Sequence, residues 1–184
     1  MALAPRRWAA ELLHFWFHEL TPPDWWGGSD EVDRECERRF GRELKTLHVL
    51  PPESFVADPA TALAAVLLFD QMPRNIHRET AQAYAYDPLA RDIAHLALDR
   101  RFDTAFPHSR AQFLAMPLMH SEDILDQRRS LAVFRHIKAG RSLSFARSHH
   151  RMIARFGRFP HRNARLGRQS TPGEKRAVEA GFAW

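Results

Sequence analysis

Cysteine is nearly absent from this 184-residue chain: Cys36 stands alone, so no internal disulfide can form, and a reducing compartment is expected. Glycine is scarce at 8 residues, and none builds the glycine-rich loop that cradles phosphates. Lysine is scarcer still: of 27 basic residues, 24 are arginines and only Lys45, Lys138 and Lys175 are lysines. No stretch alternates apolar and polar residues cleanly with period two, which argues against a half-solvated sheet. No apolar run reaches the length needed to cross a bilayer. The opening, Met1 to Leu20, is interrupted by Glu11, His14, His18 and Glu19 and lacks a small-residue cleavage site, so no secretory leader is expected. These absences point to a cytoplasmic protein with no membrane attachment.

What is present suits helices. With 45% hydrophobic and 11% aromatic residues, the chain can bury a core, and residues 1–184 are expected to form a single all-helical domain. The 12 prolines fall mostly between apolar runs, as in short helices joined by turns. Trp8, Leu12, Phe15 and Trp16 form one helical stripe before Thr21-Pro22-Pro23, and a more polar helix is expected over Asp30 to Leu47. Asp58-Pro59 reads as a cap followed by proline at the first helical position, opening an apolar run from Ala60 to Phe69 that should be central. Asp87-Pro88 repeats that signal for a helix through Arg101, and Pro107 opens one towards Leu118. Ser121, with Glu122 and Asp123, is expected to cap a helix to about Lys138. Ser142 or Ser144 should start the next, ending at Gly157. Thr171-Pro172-Gly173-Glu174 reads as a capping box before a last helix, Lys175 to Phe182. The predicted class is all-α: short antiparallel helix pairs in a tetratricopeptide-like superhelix or an irregular bundle.

The net charge of +5 conceals a division. From Arg128 to Trp184 there are 14 basic residues and two acids, Glu174 and Glu179, whereas the first 127 residues carry 13 basic and 20 acidic groups. The expected outcome is internal neutralisation, because the planar arginine fork pairs well with carboxylates. That expectation disfavours nucleic acid as a partner.

A polar pattern recurs 88 residues apart, around Asn75 and Asn163. Asp70-Gln71-Met72-Pro73-Arg74-Asn75 and Arg158-Phe159-Pro160-His161-Arg162-Asn163 each follow an apolar helical run, are expected to turn at a proline, and present Arg-Asn with further arginines. Guanidinium forks and carboxamides suit recognition of carboxylate or phosphate. Arg74, Arg158 and Arg162 are the candidate anion-holding groups, with Asn75 and Asn163 orienting the ligand. Asp70, at the expected C-terminal end of the apolar helix, opposes the helix dipole and calls for a cation, either as an ion pair or to orient an arginine. His120, with Glu122 and Asp123 beside it, is the candidate proton-transfer group. His149 keeps step with Phe145, Met152 and Phe156 and so points into the packed side of its helix. The histidines His77, His120, His149 and His161 lack a recognised ligand spacing, so no metal is expected. No cofactor is expected either. No serine or cysteine carries a nucleophile signature. The functional expectation is a polar pocket for a small anionic molecule, with turnover unassigned; the alternative is a helical scaffold for a peptide or protein segment, the arginines acting as straps.

Phe15-Trp16-Phe17, Leu68 to Ile76 (Leu-Phe-Asp-Gln-Met-Pro-Arg-Asn-Ile), Met119-His120-Ser121-Glu122-Asp123 with Asp126-Gln127, and Arg155 to Asn163 followed by Leu166-Gly167-Arg168 and Ser170-Thr171-Pro172 together resemble a bacterial family known as domain of unknown function 924. The resemblance spans almost the whole chain. It implies an all-helical, tetratricopeptide-like fold and brings no established activity. The chain departs from the family pattern at Val49-Leu50-Pro51-Pro52, where a tryptophan is usual, and at Met72, which replaces a phenylalanine.

Overall fold

Capping residues and prolines set most helix boundaries in the computed structural model, which describes residues 6–182 and is all-α, with no strand among the described residues. The ends of the N-terminal and C-terminal readings, at residues 1–5 and 183–184, lie outside the described residues. In chain order the helices are α1 (Arg7–His14), α2 (Pro22–Trp26), α3 (Asp30–Leu47), α4 (Pro59–Val66), α5 (Met72–Ile76), α6 (Asp87–Asp99), α7 (His108–His120), α8 (Ile124–His136), α9 (Gly140–Phe156) and α10 (Pro172–Glu179). No helix among the described residues is long and apolar enough to cross a membrane.

The chain gathers into two compact units, Met1–Pro117 and Leu118–Trp184. The division falls within α7 at Pro117, where the ring removes a backbone donor from the helix.

In the first unit, α4 is buried on all sides, as a sequence apolar but for Thr61 requires. It packs against α1 and α6, while α3 packs against α5. Asp58 starts α4 by accepting from the Thr61 amide at 2.9 Å. The expected turn at Pro73 does not occur. Instead α4 runs through a π-helical turn, Leu67–Gln71, straight into α5. In a regular helix the Pro73 ring would press on the Phe69 carbonyl and leave it without a donor. The wider turn, in which the Met72 amide reaches back to the Leu67 carbonyl, relieves that conflict. Asp70 therefore sits inside a continuous helical run and not at its end. A second π-helical turn, Phe15–Glu19, continues α1. Asp87 is the first residue of α6 and makes no side-chain cap, in contrast to the expected capping role.

In the second unit, α8 and α9 pack side by side. Only three residues separate them, so they run antiparallel. Met152, Ile153, Phe159 and Ala177 form the core, with Ile124, Phe156 and Phe182 packed on it. Two boundaries differ from expectation. The α8 cap is Asp123, which accepts from the Leu125 amide at 2.6 Å, because Ser121 is bonded to Asp126. Helix α9 begins at Gly140, ahead of Ser142 and Ser144. It ends as expected: Gly157 adopts φ +68° and donates its amide to Ile153 O at 2.8 Å, a conformation glycine takes without steric cost. The Thr171–Glu174 capping box also forms.

Candidate functional site

The first Arg-Asn segment belongs to the first unit and the second to the second unit. Each is built from its own partners.

Asp70, fully buried in the π-helical turn, has the Arg74 guanidinium 3.3 Å away, one turn on. Arg74 also reaches Asp87 at 3.0 Å, donates to the Asp70 carbonyl, and lies over the Tyr84 ring. Burial opposes the charge on Arg74, but Asp70 and Asp87 outweigh it and raise its pKa. Asn75 donates to Cys36 Sγ at 3.5 Å and accepts from Arg78 at 3.2 Å. Arg78 in turn grips Asp33 with both arms at 2.7 Å. Burial pushes the Cys36 thiol up to about 12, so it is no nucleophile at neutral pH. This segment is therefore an ion-paired helical strap within its unit.

The second segment is a turn. After Gly157 the chain extends through Phe159 and then closes into a 3-10 turn at Pro160–Arg162. Two carboxylates fix it from outside. Glu122 accepts from the Phe159 amide at 2.7 Å and from Arg168 at 2.7 and 3.0 Å. Burial works against that carboxylate, yet Arg168 and the amide hold its pKa below the usual range. Glu174, part of the capping box, accepts from Arg158 at 2.6 and 3.0 Å. The Arg158 hydrogen bond, against the cost of burial, brings the Glu174 carboxyl down to about 2. Such forked pairs are both strong and directional.

Within that frame lies a layer of rings and cations. Arg162, only 7% exposed, places its guanidinium 4.6 Å from the Phe159 ring centre. Phe159 is flanked by His149 at 5.3 Å and His161 at 5.7 Å. His120, the last residue of α7, lies 6.0 Å from His149. Burial, reinforced by His120, pushes His149 down to about 3. Burial, reinforced by Arg162 and Arg165, does the same to His161. Both rings are thus neutral at physiological pH. His149 Nδ1 lies 2.9 Å from the Phe145 carbonyl; a carbonyl only accepts, so Nδ1 carries the proton and Nε2 keeps its lone pair. Asn163 is fully buried. Its amide donates to Ser170 Oγ at 3.0 Å, while its Oδ1 has no hydrogen-bond partner among the described residues.

Of the residues expected at the site, His120, His149, Arg162 and Asn163 belong to this second-unit layer. Glu122 and Arg158 form its straps, and Asp123 caps a helix. Asp70, Arg74 and Asn75 form the first-unit strap. Three contributors stood in the sequence motifs but not among the expected ligand-binding residues. His161 lines the layer, Arg168 holds Glu122, and Gln127 donates to the Met119 and Ser121 carbonyls at 2.6 and 2.7 Å. That last contact occupies carbonyls at the end of α7, which would otherwise lack partners, and so fixes His120. The recurrence of Asp126-Gln127 in the family pattern was the available signal. Among the described residues no three His, Cys, Asp or Glu side chains gather to hold a metal ion.

Comparison with known proteins agrees with this architecture. The model of a family of bacterial proteins of unknown function, DUF924, matches residues 12–181. A solved structure of a protein of unknown function from Agrobacterium tumefaciens is 35% identical and superposes with a TM-score of 0.88, covering 94% of this chain and 97% of that one. No curated protein matches. The chain belongs to the DUF924 family.

Proposed function

We propose that this DUF924 protein binds a small anionic ligand at the His120–His149–His161–Arg162–Asn163 layer of its second unit. One observation carries the reading: a permanently charged guanidinium, Arg162, is buried on an aromatic face beside imidazoles that the surroundings keep neutral. The planar guanidinium fork can hold a carboxylate or phosphate with two parallel hydrogen bonds. An incoming carboxylate or phosphate would accept from Arg162 and from an N–H of His120 or His161, while Asn163 Oδ1 and the His149 Nε2 lone pair would accept from a hydroxyl or amine of the same ligand. No reaction is assigned. The competing reading, a scaffold for a peptide or protein segment, draws support from Arg74, Arg158 and Arg168, each already bound to carboxylate. The antiparallel α8–α9 pair supports a tetratricopeptide-like helix arrangement, and the solitary cysteine supports a cytoplasmic setting.

The test is thermal unfolding of wild type and Arg162→Ala with phosphate, sulfate and a panel of carboxylates at constant ionic strength. At 100 times its Kd, a ligand should stabilise the wild type by about 2.7 kcal/mol, and Arg162→Ala should lose that gain. Equal melting with every anion and with chloride would leave the scaffold.

A further inference from the structure

The structure separates arginines that are neutralised within the chain from arginines that are not. From Gln127 to Gly173, 47 residues contain 12 arginines and lysines and no acid. In the loop, Arg158 and Arg168 pair with Glu174 and Glu122. On the helices, Arg128 and Arg135 of α8 and Arg141, Arg147, Arg151 and Arg155 of α9 are all exposed. None of these six makes an ion pair among the described residues, although internal neutralisation of the basic third was the expectation. Arg147, Arg151 and Arg155 follow one another at four-residue steps, each rising about 6 Å along one flank of α9. That spacing is of the order of the distance between neighbouring phosphates of one nucleic-acid strand. Ser144 extends the flank with a hydroxyl.

From this we infer that the α8–α9 arginine face is a docking surface for the phosphate backbone of duplex nucleic acid, read without regard to base sequence. Three features favour this occupant. An anionic bilayer is held by a helix that also buries an apolar face, but Ala146, Met152 and Ile153 of α9 are already inside the protein, and the exposed Phe145 and Leu125 are too few to anchor in a membrane. A folded acidic protein would want an apolar centre depleted of charge, whereas guanidiniums occupy the middle of the α9 flank. A single strand would want aromatic platforms between the cations, and the Arg147–Arg155 row contains none on its exposed side. What remains is a row of forks and hydroxyls, the groups that contact phosphates and fix orientation without reading bases.

The experiment is fluorescence anisotropy of the full chain with a labelled 20-base-pair duplex of arbitrary sequence, from 50 to 200 mM monovalent salt. Wild type should bind at 50 mM and weaken by about 10³-fold over that range if all six arginines meet phosphates. The triple variant Arg147→Gln, Arg151→Gln, Arg155→Gln removes no ion pair among the described residues, only the contact of Arg155 with the Phe156 ring, and should melt close to wild type. It should flatten the logarithmic salt slope by about 2.7. The control Arg7→Gln, Arg34→Gln, Arg42→Gln removes the same charge from the first unit and should leave the slope unchanged. Three outcomes would overturn the proposal. One is no duplex binding at 50 mM. Another is an equal loss in the control. The third is equal or tighter binding to polyglutamate, or to vesicles rich in anionic lipid, at the same salt.

Discussion

At Arg74-Asn75 the backbone is helical, and the side chains meet Asp70, Asp87, Cys36 and Arg78. At Arg162-Asn163 it is a 3-10 turn, and the side chains meet a phenylalanine face and a serine hydroxyl. The same residue order thus serves two environments. In the first, carboxylates from α6 and from the π-helical turn itself surround the guanidinium. In the second, the carboxylates Glu122 and Glu174 grip the flanking Arg168 and Arg158. Arg162 lies on the Phe159 ring, which His149 and His161 flank. The difference teaches that an Arg-Asn dipeptide reports little by itself. What the packed elements place around it, carboxylates at Arg74 and aromatic and imidazole rings at Arg162, sets its environment.

The largest expected effect probes the first segment. Arg74→Ala removes the guanidinium one turn from the fully buried Asp70 and should lower the unfolding free energy by about 3–5 kcal/mol, measured in urea. A loss below about 1 kcal/mol would erase the contrast, since the pair would then be no more than a surface ion pair.

Acid should single out the second segment. His149 and His161 have folded pKa values near 3, below the 6.5 of the unfolded chain. Between these values the unfolded state binds more protons than the folded state. Stability is therefore intact above pH 6.5 and declines as the pH falls towards 3, by up to about 1.4 kcal/mol per pH unit for each histidine. Urea melts at pH 7, 6 and 5 should show that slope, reduced in His161→Gln and unchanged in Arg74→Ala. An identical slope in His161→Gln would mean that this ring already titrates normally.

The smallest effect compares the two best caps. Asp58→Ala, at α4 of the first unit, and Thr171→Ala, at α10 of the second, should each cost about 1 kcal/mol. Thr171→Ala also loosens Glu174, the anchor of Arg158. Amide exchange at 158–163 should quicken in that variant and stay unchanged in Asp58→Ala. Unchanged exchange in both would show that the turn is held from Glu122 alone.

The all-α class, the span of α3 and the starts of α4 and α10 were legible in the sequence, because each rests on residues within a turn or two of one another. Apolar spacing, Asp58-Pro59 and the Thr171–Glu174 box need no distant partner. Gly157 ended α9 for the same reason. Tertiary structure decided the rest. Pro73 continued a helix because burial on all sides favoured a widened turn over a break. Glu122 did not serve the start of α8, because Phe159, 37 residues on, and Arg168, 46 residues on, hold it more strongly. His161 and Arg168 entered the site through those same long-range contacts. Sequence specifies which charges exist and what the nearby backbone does with them. Which charges meet, and which stay bare, depends on separations in space that only the packed chain sets.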